Sequence, residues 1–304
     1  MSSRPSTTLV SFVILSRPHF LAGAALLYAV GASAAYAAGA TISWDVYWMG
    51  QAMVTSIQLV THYSNEFFDV PSDRVSENRT WLSGGSGVLT DGRLTVDVAL
   101  RAASVSAVVA AALVVWVYLS EPIAGLIGTV ALGAGWFYSA PPLRLEASGL
   151  GELVATLTVA VLVPVTASLL QFQTVPTPLW WAVAGLAFLQ FGMMLSFSIP
   201  DWLSDKQAGK LVLAARIGPG ASRRLLSVAL VAGFVVLTAG VAVGSLPKLL
   251  LPLLVPAALA AVGQALAAVR GRSVVMVTAA AATLLLAAVA TLVAFIVLGR
   301  NLAV

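Results

Sequence analysis

Residues 276–297 read MVTAAAATLLLAAVATLVAFIV and contain no charged side chain. The hydrocarbon core of a bilayer is about 30 Å thick and takes about 20 apolar residues in helical form, so this segment is long enough to cross it. Eight further segments of similar character predict spans at 20–39, 46–65, 99–118, 122–138, 152–170, 179–198, 225–244 and 248–268. We therefore expect an all-α integral membrane protein with nine transmembrane helices in one bundle, a single domain covering residues 1–304.

The composition supports this class and excludes several others. Hydrophobic residues make up 60% of the chain and charged residues 9%, whereas soluble domains carry about 25% charged residues. There is no cysteine, which excludes disulfides, zinc–thiolate sites, iron–sulfur clusters and thiol catalysis. The net charge of +4 reports membrane topology before it reports partners, and no nucleic-acid partner is expected.

The basic residues predict how the spans are oriented. Two connections, residues 66–98 and 199–224, are long and polar, and both follow an even-numbered span, so they lie on the same side. That side and the N-terminus together hold 14 of the 16 lysines and arginines, because only Lys248 and Arg300 lie on the other. Cytoplasmic segments are enriched in basic residues. We therefore expect an inner-membrane protein whose N-terminus and long loops are cytoplasmic and whose C-terminus is outside.

Acidic residues are rare, and four of the 12 form two pairs: Asp69 with Asp73, and Asp201 with Asp205. The four-residue spacing places both carboxylates of a pair on one helical face, about 5–6 Å apart at Cβ. Asn65 precedes the first pair by one further turn. Ionisable groups at embedded helix ends are costly and usually mark function. The alternative is that they are solvated acids of ordinary loops.

A divalent cation would relieve the repulsion within each pair. Mg²⁺ prefers hard oxygen ligands and is typically held by one or two carboxylates plus substrate phosphates. The sequence therefore predicts two Mg²⁺ sites that clamp one diphosphate and assist its departure. Basic residues on the same side are candidate diphosphate ligands: Lys206, Lys210, Arg79 and Arg144.

Two further side chains have both a functional and a structural interpretation. His62 lies on the helical face of Asn65 and Asp69. It is either a base or hydrogen-bonding group near an acceptor, or a structural histidine held by a neighbouring helix. Tyr138 would either stabilise a carbocation through its ring face or anchor the membrane interface.

Two other features have a simpler interpretation. Glu152 opens a predicted helix and would complement its dipole. The glycines at 84, 85 and 87 would form either a backbone nest for phosphate or an ordinary turn.

Three motifs carry a resemblance to a known family. The first is Asn-x₃-Asp-x₃-Asp within QLVTHYSNEFFDVPSDR at 58–74. The second is YSAPPLRL at 138–145, followed by GLGE at 149–152. The third is DWLSDKQAGK at 201–210. In this order and on this helical frame, the chain resembles the UbiA superfamily of intramembrane prenyltransferases, in particular members that act on 1,4-dihydroxy-2-naphthoate or 4-hydroxybenzoate.

The resemblance implies a bundle around a central cavity open to lipid, with two Mg²⁺ ions bridging the aspartate motifs and a prenyl diphosphate. It implies that Asn65, Asp69 and Asp73 bind one ion and that the second pair of aspartates binds the other. The implied reaction is prenyl transfer to a hydrophobic aromatic acceptor of quinone biosynthesis. Alternatives are a terpene cyclase, which would release diphosphate without an acceptor, a specialised-metabolite prenyltransferase, and a cation-coupled transporter, whose acids should lie near span centres.

Overall fold

The computed structural model describes residues 5–74, 80, 82 and 84–302, and every regular element within them is a helix. The predicted all-α class is therefore confirmed. Short helices connect or extend the long ones: α1 (Pro5–Leu15), α4 (Val70–Asp73), α10 (Trp202–Gln207) and α12 (Leu250–Leu253). The remaining helices are α2 (Pro18–Ala37), α3 (Trp44–Phe68), α5 (Val96–Ser120), α6 (Pro122–Phe137), α7 (Gly151–Thr156), α8 (Val163–Phe172), α9 (Thr177–Ser198), α11 (Leu213–Ala242), α13 (Val255–Val269) and α14 (Ser273–Leu302).

Seven helical segments among the described residues are long and apolar enough to cross a membrane. They coincide with seven of the predicted spans, with α7 and α8 together forming one of them. The other two predicted spans correspond to α3 and to the 16-residue α6. The chain is thus an integral membrane protein, while the count of nine spans stays a prediction. The predicted span at 225–244 corresponds to the long apolar part of α11, whose first turns begin earlier, at Leu213.

Two groups of helices enclose the interior. In one, α5 packs against both α3 and α6, around a core that includes Met53 and Val114. In the other, α9, α11, α13 and α14 surround Leu189, Leu237 and Phe295. Helix α2 contacts α14 on one side and α8 on the other, so it joins the two groups.

Small residues let these helices approach closely. A methyl group on Gly185 of α9 would lie 2.5 Å from a leucine side chain of α11, and one on Gly233 of α11 would lie 2.7 Å from a leucine of α9. Gly31 of α2 is tighter still, because an added Cβ would lie 1.9 Å from the carbonyl oxygen of Pro164. Membrane helices associate largely through such close packing. These glycines therefore fix the distances that shape the interior.

Proline interrupts helical geometry at two places. Pro164 has no N–H to offer the preceding turn, and a wider π-helical turn at Leu157–Leu162 comes directly before α8. In α11, Gly218 takes φ 80° and ψ 162° immediately before Pro219. The first turns of α11 are therefore separate from its long apolar part, and hydropathy located only the latter.

The outer faces of the helices carry large apolar side chains. Val108 is 71% exposed, Leu259 70% and Val228 63%. Apolar patches of this extent are rare on proteins in water and are expected where helices face lipid. The polar side chains described below are instead gathered in the interior.

Candidate active site

A cavity of about 380 Å³ lies between α2, α3, α6, the α7–α8 segment, α9 and α14. Most of its wall is apolar and includes Leu27, Met53, Val54, Ile127, Leu162 and Leu285. One end is polar and carries Asn65, Asp69, Asp73, Asp201, Asp205 and Lys210. The cavity therefore has a charged end and a mostly apolar remainder.

Each aspartate pair spans one helical turn, as its spacing predicts. The carbonyl of Asp69, at the end of α3, accepts the N–H of Asp73 at 2.8 Å, and that of Asp201, at the start of α10, accepts the N–H of Asp205 at 2.9 Å. The Asn65 amide donates to the Asp69 carboxylate at 2.7 Å. The structure thus brings all five predicted metal ligands to one end of one cavity.

The end of α10 decides which lysine reaches this cavity. Gly209 has φ +75°, and the N–H of Lys210 bonds back to the carbonyl of Asp205 at 2.8 Å, so the helix closes with a glycine cap. The turn carries Lys210 into the cavity, where its ammonium forms an ion pair with Asp69. Lys206 lies one turn earlier, is exposed and does not line the cavity. Its predicted diphosphate contact gains no support from this geometry.

The loop between α6 and α7 presents a carboxylate that the sequence did not lead us to predict. The N–H of Glu146 bonds to the carbonyl of Tyr138 at 3.0 Å, which folds the loop back and leaves Glu146 4% exposed. Glu146 Oε2 lies 3.0 Å from the Asn65 amide nitrogen and 3.1 Å from Lys210 Nζ. Arg144 lies at the reversal of this loop with φ +41° and an exposed side chain, so the structure does not bring it to the cavity.

Negative charge at the polar end is only partly compensated. Burial and the neighbouring Asp69 carboxylate raise the pKa of Asp73 to about 7. Burial also raises the pKa of Asp205 to about 7, although Lys210 opposes the shift. A raised carboxyl pKa means that the protein environment disfavours the ionised carboxylate. A bound cation would reverse that preference.

His62 and Tyr138 also line the cavity. His62 Nδ1 lies 2.9 Å from the carbonyl oxygen of Ser16. Because a carbonyl can only accept, Nδ1 carries the proton and Nε2 keeps its lone pair. The hydrogen bond is the contact expected of a structural histidine, and it leaves one ring nitrogen able to accept a proton. Tyr138 lies at the end of α6, in the polar half of the wall.

Sequence reasoning missed an ion pair between distant residues and part of the role of Glu152. Arg17 lines the cavity and pairs with Glu66, which lies 49 residues away in sequence. Glu152 opens α7 as predicted, but it is also 3% exposed and accepts a hydrogen bond from the Ser198 hydroxyl at 2.9 Å. Arg79, the remaining predicted ligand, lies outside the described residues.

The donor set at the polar end suits a hard divalent cation. Carboxylate and amide oxygens are the ligands that Mg²⁺ prefers, usually one or two per ion together with substrate phosphates. In the part of the chain that the structure describes, no group of three or more His, Asp or Glu residues is placed to hold a metal without further ligands. Glu146 Oε1 is buried with no hydrogen-bond partner, so this end has acceptor capacity to spare. The residues present fit Mg²⁺ bound together with a diphosphate.

Solved structures share this fold. A digeranylgeranylglyceryl phosphate synthase superposes with a TM-score of 0.66 at 13% identity, over 97% of this chain and 99% of that one. A UbiA homologue from Aeropyrum pernix K1 gives 0.69 at 16% identity, over 89% and 97%. A UbiA homologue from Archaeoglobus fulgidus, bound to DMAPP and Mg²⁺, gives 0.59 at 21% identity, over 74% and 76%.

Sequence comparison identifies the family directly. A comparison with curated proteins found no match. The model of the UbiA prenyltransferase family, however, matches residues 25–276. That range contains both aspartate pairs, the Pro-Pro loop and most of the helices that form the cavity. The chain therefore belongs to the UbiA prenyltransferase family and is a prenyltransferase.

Proposed function

We propose that this membrane enzyme uses Mg²⁺ to transfer a prenyl group from a prenyl diphosphate to a hydrophobic aromatic acceptor, a precursor of a quinone. One observation carries the proposal: a single cavity has a carboxylate- and lysine-lined end and an apolar remainder. A prenyl diphosphate has the same division, with a charged head and a hydrocarbon tail. Complementarity of this kind places the scissile bond where the two parts of the cavity meet.

At the charged end, Asn65, Asp69 and Asp73 would bind one Mg²⁺, and Asp201 with Asp205 the other. When bound, the ions supply Lewis-acid stabilisation of the leaving diphosphate. Archaeoglobus fulgidus homologues of the same fold have been solved with DMAPP and Mg²⁺ and with GPP and Mg²⁺. This supports the donor class and the metal for the present chain.

Lys210 would contact the diphosphate directly. Although burial lowers its pKa, the charges of Asp69 and Glu146 outweigh that effect and raise the pKa, so the ammonium stays charged. A charged, buried donor is well suited to stabilise negative charge that develops on a leaving oxygen. Because two carboxylates hold Lys210, its position does not depend on the substrate.

The apolar wall would protect the allylic cation from water, and His62 would take a proton from the acceptor. Walls of Leu, Met and Val exclude water from the allylic cation that forms when the carbon–oxygen bond breaks. Tyr138 offers a ring face to that cation. The acceptor's ring carbon bonds to the cation and must then lose a proton, or a carboxyl group, to recover aromaticity. The free Nε2 of His62 is a cavity group able to take that proton.

The proposed topology follows the distribution of charge. Nine spans in a single domain, an inner-membrane location, a cytoplasmic N-terminus and an external C-terminus would put the polar end on the cytoplasmic side, where soluble prenyl diphosphates are available. The aspartates at the ends of α3 and α9 lie beside polar loops. Cation transporters place such groups near span centres, and the ion-transport alternative is less favoured for that reason.

Diphosphate release tests the proposal. Purified protein in nanodiscs is given labelled prenyl diphosphates of several lengths, with and without Mg²⁺. Aromatic acids and a glyceryl phosphate lipid are added singly as acceptors, and Asp69→Ala and Asp201→Ala serve as controls. We expect release that requires Mg²⁺, both aspartates and an aromatic acceptor.

The other outcomes separate the alternatives. Release with the glyceryl phosphate lipid alone would assign an ether-lipid acceptor. Release without any acceptor would favour a cyclase. If folded protein released no diphosphate from any donor, the proposed prenyltransferase reaction would be contradicted.

A further inference from the structure

Glu66 is a buried charge that the proposed chemistry does not use. It follows Asn65 directly but does not line the cavity, and it is 2% exposed. Its carboxylate accepts hydrogen bonds from Nε and Nη2 of Arg17, from the backbone N–H of Ser86 at 2.8 Å and from the Ser86 hydroxyl at 2.7 Å. A buried carboxylate with so many donors is fully satisfied and rigidly placed.

These bonds join three separate parts of the chain. Arg17 stands between α1 and α2, Glu66 lies near the end of α3, and Ser86 belongs to the segment between α4 and α5. Leu15 and Val88, each two residues from a member of this network, are fully buried in one hydrophobic cluster. The network is therefore largely shielded from water at Glu66, where a hydrogen bond is electrostatically stronger than in water.

The segment that Glu66 holds packs closely against Asp73, a predicted metal ligand. Gly84 and Gly85 have φ values of +80° and +75°, and both line the cavity beside Asp73. An added Cβ on Gly85 would lie 2.1 Å from Asp73 Oδ2 and 2.7 Å from its Cγ. The Asp73 carboxylate thus rests directly on the backbone next to Ser86, and displacement of that backbone would free it.

We propose that Glu66 is a positioning residue that anchors the Gly84–Gly85–Ser86 segment and thereby fixes the orientation of the Asp73 carboxylate for Mg²⁺ and the diphosphate. The inference rests on the proposed Mg²⁺-dependent function. Glu66 does not contact substrate or metal in this role. It acts through Ser86 and Gly85 on Asp73, as outer residues around a metal site orient its ligands.

Two substitutions weaken the contact between Glu66 and Ser86, one from each side. Ser86→Ala removes the hydroxyl bond to Glu66 and also the acceptor of the Val88 N–H, which lies 3.2 Å from the Ser86 hydroxyl oxygen. Glu66→Gln keeps the shape of the side chain but removes its charge and replaces an acceptor with a donor. Ser86→Thr keeps the hydroxyl and is the conservative variant. Ser104→Ala, which deletes an exposed hydroxyl on α5, is the matched control.

The experiment combines three measurements on the full chain in nanodiscs. Hydrogen exchange of peptides that cover residues 84–92 is recorded without ligand. Calorimetric titration of Mg²⁺ is performed on protein saturated with a prenyl thiolodiphosphate. The Mg²⁺ dependence of turnover is then measured. Thermal unfolding of each variant shows whether the fold is retained.

We expect faster exchange at 84–92 in Ser86→Ala and Glu66→Gln. Glu66→Gln should weaken Mg²⁺ binding about tenfold, in line with other outer residues of metal sites, with a smaller change in Ser86→Ala. Turnover at saturating Mg²⁺ should stay close to that of the wild type, and Ser86→Thr and Ser104→Ala should behave like the wild type.

Two results would overturn the inference while leaving the proposed function intact. One is unchanged exchange at 84–92 in both variants. The other is faster exchange with unchanged Mg²⁺ affinity, which would mean that the segment is anchored by Glu66 without positioning Asp73. If the wild-type protein itself showed no Mg²⁺-dependent binding of the thiolodiphosphate, the proposed function would fail, and this inference with it.

Discussion

Replacement of Lys210 by methionine should lower both stability and activity. Its side chain is 14% exposed, and the two carboxylates that it contacts, Asp69 and Glu146, are each 5% exposed. Removal of one partner from a buried ion pair costs about 3–5 kcal/mol, because the other charge is left uncompensated. Protonation of a carboxylate limits that loss here, since burial raises the pKa of Glu146. We therefore expect a loss near the lower limit, about 3 kcal/mol in the free energy of unfolding.

The activity should fall for a separate reason. A hydrogen bond from a charged donor contributes about 1.5–3 kcal/mol, which corresponds to about 10–100-fold in kcat/KM when the bond stabilises the leaving diphosphate. The double variant Lys210→Met/Glu146→Gln also removes one of the two carboxylates that lose their partner, while Asp69 remains. It should regain part of the lost stability without regaining activity.

Thermal unfolding in nanodiscs and steady-state kinetics measure the two effects. Lys248→Met is the matched control, because that lysine lies between α11 and α12, away from the cavity. Lys206 was predicted to contact the diphosphate but does not line the cavity. Lys206→Met should therefore cost far less activity than Lys210→Met. The reasoning would be refuted if Lys210→Met kept the wild-type unfolding temperature and kcat/KM, or if the double variant recovered activity together with stability.

Four further predictions concern the metal ligands and the packing. Because burial raises the pKa of Asp73 to about 7, protons compete with Mg²⁺ below that pH; calorimetry should show the affinity falling as pH drops from 7 to 5 and levelling off above 7. The same raised pKa should make the metal-free protein lose stability as pH rises from about 4 to about 7, and a melting temperature that stays flat over this range would contradict the assignment. Gly85→Ala should weaken Mg²⁺ binding more than tenfold, whereas Gly92→Ala, at a similar φ of +68° but with nothing within 4 Å, should carry only the backbone strain. Gly31→Ala should lower the free energy of unfolding by about 1–3 kcal/mol through overpacking, compared with Gly133→Ala, whose added Cβ meets nothing within 4 Å.

Hydropathy was sufficient to locate the long helices, because a bilayer imposes both length and apolarity on each span. It failed where geometry, not polarity, sets the boundary. At Gly218 and Pro219 the backbone leaves the helical region, so a short helical segment ends just before the long apolar one. The π-helical turn at Leu157–Leu162 likewise has no polar signal, since its residues are almost all apolar.

The aspartates were predictable because their four-residue spacing is local and repeated. The sequence named Lys210 among four basic candidates but could not single it out, because a helix cap and a loop reversal decide which of them face inward. Gly209 turns Lys210 toward the cavity and leaves Lys206 outside. The reversal of the loop after α6 turns Glu146 inward and Arg144 outward. A weak signal existed for Glu146, since it is one of only 12 acidic residues in the chain.

The Arg17–Glu66–Ser86 network was beyond sequence reasoning for a different reason. Its members come from three segments whose proximity is set by helix packing. Glu66 resembled an extra acid at the end of a span, and Arg17 resembled one more basic residue on the cytoplasmic side. Only the folded chain reveals that they neutralise each other.

The most direct test of the central claim is a structure of the protein with Mn²⁺ in place of Mg²⁺ and a prenyl thiolodiphosphate, with the Mn²⁺ located by anomalous scattering. Our account predicts one peak at Asn65, Asp69 and Asp73, a second at Asp201 and Asp205, the diphosphate between them in contact with Lys210, and the prenyl chain along the apolar wall. Mn²⁺ or diphosphate bound elsewhere, with these carboxylates free of both, would contradict it.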